Sequence, residues 1–576
     1  MIRIVSVERM REIEAAADAA GHTYAIMMEA AGRAIADRVL ARLSPGRASR
    51  VTILVGPGNN GGDGLVAGRL IAEESEAEIR FYLLKMRDRS DPHFNAIQAA
   101  ELFVTNADDD RDGRLLRNLI ASSDIVVDAV FGIGVRLPLK DQAAAILRQT
   151  HQALREAQLR NLRPTSVTPA HPEVTRNSPG RPYIIAVDCP SGLECDSGEL
   201  DSNTLHADET ITFIAVKPGL LSFPGAQAVG TLSVAPIGVP EHVNVAQDTM
   251  GILVDSDLVH ELLPDRPTSG HKGTFGKALI VAGSVNYVGA PGLAAQAAYR
   301  IGSGLVTVGA PHRVIDALSA RLPEPTWLLL PHDMGVISDQ AAKIIFEEAV
   351  KFDALLLGPG LGLESTTREL LTTLLTPDAD SAKRQTRRNI GFLSVNEAGT
   401  NASELPENSD DRRLPPLVID ADGLNLLSEI DKWWTLVPKN CVLTPHPGEM
   451  ARLSGLKIHE IEQDRTGIAT DKAKEWGVVL VLKGAHTLIA DPEGQLAVLP
   501  FKTDALATAG TGDILAGAIV GLIAQGMTAY DAAVVGSYLH GLSGAMAGQT
   551  SSSRSVIASD VLNHLPEAIS LVEQSR

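Results

Sequence analysis

Cysteine is nearly missing from this chain: Cys189, Cys195 and Cys441 are the only three in 576 residues. An odd, sparse set excludes a disulfide framework and suits a reducing compartment. No apolar run approaches the ~18 residues that a membrane helix needs. The opening residues Met1-Ile2-Arg3-Ile4-Val5-Ser6 contain no apolar core of a secretory signal. The expectation is a cytoplasmic protein with no membrane partner. Positive charge is also short, with 51 Lys and Arg against 70 Asp and Glu, a net charge of −19. That balance argues against nucleic acid as the main partner. No His or Cys spacing matches a zinc site. Aromatic residues make up only 4%, whereas Gly (51) and Pro (32) are plentiful, which fits an α/β enzyme rich in tight turns. The length calls for two or more domains.

Apolar residues at helical spacing (Val7, Met10, Ile13, Ala17, then Ile26, Met27, Ala30, Ala31, Ala34, Ile35, Val39) predict two opening helices. They are read as packing elements or a dimer face, without chemistry. The buried strand Val51-Thr52-Ile53-Leu54-Val55 then runs into Gly56-Pro57-Gly58-Asn59-Asn60-Gly61-Gly62-Asp63-Gly64, with a helix expected from about Leu65. Gly56, Gly58 and Gly61 satisfy the dinucleotide fingerprint in a strand–turn–helix setting. The next strand, however, ends at Lys85-Met86, where a nicotinamide-dependent oxidoreductase would place an acidic residue for the ribose. Two further strands end in Asp128-Ala129-Val130-Phe131-Gly132 and Asp188-Cys189-Pro190-Ser191-Gly192. Asn60, Asp128 and Ser191 would thus converge with Asp188 at the carboxyl ends of one parallel sheet, where ligands bind. Their oxygens suit a hard cation; each alone could be a cap or turn former.

The second half shows the rhythm of βα units. Gly276-Lys277-Ala278 is a near miss for a phosphate loop, lacking the Ser or Thr and preceding a strand, so that reading is rejected. Short apolar runs lead into Gly358-Pro359-Gly360-Leu361-Gly362, Asp420-Ala421-Asp422-Gly423-Leu424-Asn425, Thr444-Pro445-His446-Pro447-Gly448-Glu449-Met450 and Lys483-Gly484-Ala485-His486-Thr487. His446 is a structural turn residue or a catalyst; Lys483 pairs with phosphate or is solvated. Ala509-Gly510-Thr511-Gly512-Asp513 opens an apolar helix, and its free amides and helix dipole make a seat for phosphate. Asp513 is either a catalytic carboxylate or a helix cap. Two aperiodic stretches, 160–182 and 376–416, read as insertions.

The ordered set of these motifs resembles the bifunctional NAD(P)H-hydrate repair enzymes over nearly the whole chain. The resemblance implies two α/β domains, an N-terminal Rossmann-like three-layer sandwich (1–245, NAD(P)HX epimerase) and a C-terminal ribokinase-like domain (246–576, ADP- or ATP-dependent NAD(P)HX dehydratase). It implies K+ at Asn60, Asp128 and Ser191. The hydrated nucleotide would lie on Asn59, Asn60, Gly61, Gly62, Asp63, on Gly132, Ile133, Gly134, Val135, Arg136, Leu137, Pro138, and on Asp188, the acid/base of epimerisation. In the second domain Ala290, Gly362, His446 and Asp513 would face substrate, with Asp513 the general base. Lys483, Gly484, Ala485, His486 and Thr487, with Asp504 to Gly512 (Gly510, Thr511 and Gly512 above all), would hold the nucleotide, ADP being the expected one, with Mg2+. NADHX, NADPHX and the nucleotide are the implied small-molecule partners, and a homo-oligomer is expected. The rival reading is a ribokinase-type small-molecule kinase behind a non-catalytic Rossmann-like module.

Overall fold

Among the described residues, the βα units of each of the two large sheets begin in its middle, grow outward to one edge, and then return to grow toward the other. The computed structural model describes residues 1–43, 49–161, 181–240, 243, 248–376 and 414–574. Within them the chain forms two compact units, Ile2–Gly251 and Ile252–Arg576 with Met1. The stretches read as insertions lie almost wholly outside the described residues.

In the first unit seven parallel strands stand in the order Phe103–Asn106, Glu78–Leu83, Arg50–Val55, Ile125–Ala129, Tyr183–Val187, Glu209–Phe213 and Thr231–Ala235. Side chains alternate across a strand. Ile53, Val55, Val127, Ile185 and Val187 therefore pack on one face with the helices Val7–Ala19, Tyr24–Leu40 and Asn59–Glu74. Leu54, Val126, Ile184 and Ala186 pack on the other with Arg114–Ala121 and Asp141–Asn161. Both faces are covered, which is why these strands read as unbroken apolar runs. The predicted opening helices are present, capped by Ser6 and Thr23. One boundary differs: the third helix starts at Asn59, not Leu65, so Asn59 to Gly64 form its first turns. Packing decides this, because the helix start presses on the preceding strand. A Cβ on Gly61 would strike the Gly56 backbone, and one on Gly64 would lie 2.6 Å from the Ala129 Cβ.

In the second unit the strand order is Gly251–Leu253, Leu496–Val498, Leu488–Ala490, Val479–Leu482, Val442–Leu443, Leu417–Ile419, Ala354–Leu357, Lys277–Val281, Leu305–Ala310 and Thr326–Leu329. From Val479–Leu482 to Thr326–Leu329 all pairings are parallel. The two strands after Val479–Leu482 turn back antiparallel. Residues near 240–262, read from sequence as a connector, include an edge strand and the helix Ser256–Leu262. The helix Thr511–Ala524 is buried along nearly its whole length and packs on Gly289–Arg300.

Among the described residues no helix is long and apolar enough to cross a membrane. Cys189 and Cys195 stand side by side in the loop that follows Tyr183–Val187, with Cα atoms 7.2 Å apart. Cys441 is free and buried.

Candidate functional sites

Reversal of strand order leaves a crevice at the carboxyl ends of the two strands that flank it. In the first unit these are Arg50–Val55, leading to Asn59 and Asn60, and Ile125–Ala129, which carries Asp128. Asp128 is fully buried. It accepts from the Ser191 hydroxyl at 2.6 Å, the Ser191 amide at 2.9 Å and the Val130 amide at 3.4 Å. Burial raises its pKa, against the Ser191 hydrogen bonds. No cationic side chain among the described residues pairs with it. The Asn60 side chain is buried with its Nδ2 unpartnered. A Cβ placed on Gly132 would lie 3.0 Å from Asn60 Oδ1 and 3.3 Å from Asp188 Oδ2, so all three share one pocket wall. In the 132–138 loop, Gly134, Arg136 and Pro138 are exposed and Leu137–Pro138 is cis.

Asp188 follows its strand in a left-handed conformation, φ 62°. Its Oδ1 accepts from Lys217 Nζ at 2.6 Å and from the Thr212 hydroxyl at 3.0 Å. Lys217 is 1% exposed and also meets Thr212 Oγ1 at 2.9 Å. Asp63, in the helix start, is held well above the usual carboxylate range by burial and by the charges of Asp188 and Glu14, with Arg87 opposing. Arg87 donates to the carbonyls of Gly56 and Gly58, fixing that turn. Glu14 is raised by burial and by Asp188, against Lys217 and Arg11. Arg11 reaches the Ile133 carbonyl at 3.4 Å. The opening helix therefore contributes to the site, contrary to its reading as packing alone. The signal was there: Glu14 stands at the i+4 position of the stripe Met10, Ile13, Ala17, where a charge is out of place. Lys217, alone among Ala215, Val216, Pro218 and Gly219, was a similar signal.

In the second unit the reversal lies between Lys277–Val281 and Ala354–Leu357. Ala290, in the helix after the first, and Gly360, in the loop after the second, face each other: a Cβ on Gly360 would lie 3.3 Å from that of Ala290. The Gly362 amide donates to Asp422 Oδ2 at 2.9 Å. Asp420 ends its strand fully buried and accepts on Oδ1 from Lys483 Nζ (2.9 Å) and the Thr444 hydroxyl (2.6 Å). Burial works to lower the Lys483 pKa, but Asp420, then Glu449 and Asp513, outweigh it and hold the ammonium above its usual range. A Cβ on Gly512 would lie 3.5 Å from Lys483 Nζ and 3.7 Å from Asp420 Oδ2. Asp513 is not the helix cap, a position taken by Gly510. Burial, Asp420 and Asp422 push its carboxyl up to about 7, with Lys483 opposing. His446 does cap a helix: its Nδ1 accepts from the Gly448 amide at 3.0 Å and the Glu449 amide at 3.4 Å. Burial, Lys483 and Arg452 lower its pKa. Asp420, Asp422 and Glu449 were quoted in the sequence motifs but given no role.

Beside this cluster a cavity of about 210 Å3 is lined by Lys483, Gly484, Ala485, Thr487, Thr511 and Gly512, among others. His486 does not line it; the ring bonds the Leu499 carbonyl at 2.9 Å and burial pushes its pKa down to about 4.

Two largely parallel sheets with polar clusters at their reversal points, one beside the glycine-rich start of a buried helix, define an α/β enzyme with two sites. The comparisons with known proteins agree. Residues 278–380 and 396–567 match the NAD(P)H-hydrate dehydratase family, and residues 24–219 match the family of YjeF-related protein N-termini. The chain is 34% identical to the bifunctional NAD(P)H-hydrate repair enzyme Nnr of Moorella thermoacetica, over 95% of this chain and 93% of that one. It is 31% identical to that of Coxiella burnetii, over 97% of each. A solved ADP/ATP-dependent NAD(P)H-hydrate dehydratase of Bacillus subtilis, co-crystallized with ATP and Mg2+, is 27% identical, covers 55% of this chain and 98% of its own, and has a TM-score of 0.44. The chain belongs to the family of bifunctional NAD(P)H-hydrate repair enzymes. It is an NAD(P)HX epimerase and a nucleotide-dependent NAD(P)HX dehydratase in one polypeptide of two α/β units.

Proposed function

We propose that residues 1–245 interconvert R- and S-NAD(P)HX and that residues 246–576 return the S epimer to NAD(P)H, with ADP as the preferred nucleotide. The observation that carries this reading is Asp513, raised to about 7 beside the open amides of Gly510 to Gly512. A ring hydroxyl is a poor leaving group and must first be phosphorylated. Asp513 draws the hydroxyl proton, a task suited to a base poised near neutrality. The amides at the helix start bear the charge of the transferring phosphoryl group. Elimination of phosphate then restores the dihydronicotinamide. Ala290, Gly362 and His446 hold the substrate, and Lys483, Gly484, Ala485 and Thr487 with Asp504 to Gly512 hold the nucleotide. Mg2+ arriving with the nucleotide would neutralise its phosphates, and Asp420 and Asp422 supply hard oxygens beside that seat.

In the first unit Asp188 moves the proton of epimerisation through Oδ2, the oxygen that Lys217 leaves free. Asn59 to Asp63 and Gly132 to Pro138 hold the nucleotide. Asn60, Asp128 and Ser191 suit K+, because Asp128 is a buried carboxylate satisfied by neutral donors alone. K+ bound there would supply the missing positive charge. The same reading takes the enzyme as cytoplasmic and oligomeric; Tyr24 and Ile26, exposed on the second helix, favour an interface there.

Recovery of NADH absorbance from mixed-epimer NADHX, with Mg2+, K+ and ADP or ATP, tests this. Full nucleotide-dependent conversion is expected. A stall near half would mean a silent first unit, and no conversion with either nucleotide would favour a kinase.

A further inference from the structure

Two residues that line the cavity beside Gly512 carry a buried polar atom that no described residue satisfies. Ser537 and His540 stand one turn apart (i, i+3) on the helix Ala529–Thr550 and both line the cavity. They are 2% and 8% exposed. Among the described residues Ser537 Oγ and His540 Nε2 have no hydrogen-bond partner. Leaving such groups unmade costs stability, and this helix offers an easy remedy that Ser537 does not take. Ser543, farther along it, returns its hydroxyl to the Leu539 carbonyl at 2.7 Å.

The imidazole of His540 is neutral, since burial pushes its pKa down to about 4. In the tautomer that carries its proton on Nδ1, Nε2 presents a bare lone pair. The Ser537 hydroxyl beside it can donate. Leu499, Phe501, Leu506 and Leu515 supply apolar walls, and Thr511 and Gly512, at the start of their helix, line the cavity as well. A planar base with a phosphate tail matches this order of surfaces.

We infer that Ser537 and His540 select the base of the nucleotide: His540 Nε2 accepts from an exocyclic amine while Ser537 donates to the adjacent ring nitrogen. Adenine carries that edge. Hypoxanthine and guanine place a carbonyl oxygen where adenine has its amine, against the imidazole lone pair. The inference rests on the reading of this cavity as the nucleotide site, and it adds which atoms of the chain read the base.

Calorimetric binding of ADP, IDP and GDP to the full-length protein without substrate tests it, alongside NADH recovery with each nucleotide. The wild type should prefer ADP to IDP by about tenfold or more, the worth of one hydrogen bond left unmade. Ser537→Ala, which removes one atom, and His540→Phe should each lower that preference about tenfold by weakening ADP while leaving IDP unchanged. His540→Gln, whose amide oxygen can accept, should restore part of it. The effect should fall on KM for ADP rather than on kcat. An unchanged ADP-to-IDP ratio in Ser537→Ala, with normal thermal unfolding, overturns the inference, as does a wild type that binds no nucleotide. Selective binding without NADH recovery would instead overturn the repair reading and leave the base-selecting pair standing.

Discussion

Each unit hangs a lysine ammonium and a threonine hydroxyl on one oxygen of an aspartate that ends a parallel strand. In the first, Lys217 and Thr212 hold Asp188; in the second, Lys483 and Thr444 hold Asp420. The device is the same and the use differs. In the epimerase unit the clamped aspartate is itself the proposed acid/base, and its second oxygen faces Gly132. In the dehydratase unit the clamped aspartate is a neighbour whose charge, with burial, lifts Asp513 to about 7. A fixed charge can thus serve as the reagent or as the field that tunes a reagent.

The sharpest way to break this comparison is Asp513→Asn. Nucleotide-dependent NADH recovery should fall by about 10²–10⁴, the range of a general base. Chromatographic interconversion of the two epimers should continue at about the wild-type rate. Recovery near the wild-type rate would remove Asp513 from the chemistry.

Next is the clamp itself. Lys217→Met leaves Asp188 without its buried partner and should cost about 3–5 kcal/mol in denaturant unfolding. Lys483→Met should cost less, since that side chain is 20% exposed and water can replace it. Equal losses would erase the distinction between the two clamps.

The pH dependence should separate the sites. A base with a pKa of about 7 is ionised only above it, so dehydration should accelerate as pH rises through about 7. Asp513 ionises at a lower pH in the unfolded chain than in the folded one. The stability it contributes is therefore complete below the ordinary carboxylate value of 3.8 and is lost as pH rises through about 7. Asp513→Asn should accordingly raise the melting temperature at pH 8 and not at pH 4. The smallest effect is ionic: replacing K+ by choline should slow epimerisation several-fold, leave dehydration of the S epimer untouched, and have no effect in Asp128→Asn.

Much of this architecture was legible in the sequence, because strands buried on both faces leave continuous apolar runs and their loops carry distinctive glycines. The motifs from Asn59 to Asp63, Asp128 to Ser191 and Gly358 to Asp513 come together at the reversal points where such loops must meet. What stayed hidden followed from tertiary packing. Six polar and glycine residues from Asn59 to Gly64 read as a loop, yet close approach to Gly56 and Ala129 makes them helix. Short strands such as Leu488–Ala490 have too few residues for a period to show. Lys217 and Glu14 needed a question the apolar pattern does not ask, namely why a charge stands where burial is expected. His446 is a helix cap whose second nitrogen stands 3.5 Å from Glu449 Oε1, a pairing that sequence spacing alone does not show.

The contact between the helices Gly289–Arg300 and Thr511–Ala524 couples the two ends of the dehydratase site mechanically. Gly517 lies so close to Ala294 that an added Cβ would fall 2.7 Å from its Cα, and one on Gly521 would fall 3.0 Å from that of Ala298. The two helices are therefore hinged tightly, like the arms of tweezers, with Ala290 and Asp513 near the tips. A single methyl group at Gly517, about 6 Å along the helix from Asp513 by the rise of four residues, would act as a wedge. It would touch neither nucleotide nor substrate, yet it would spread the tips between which both must fit.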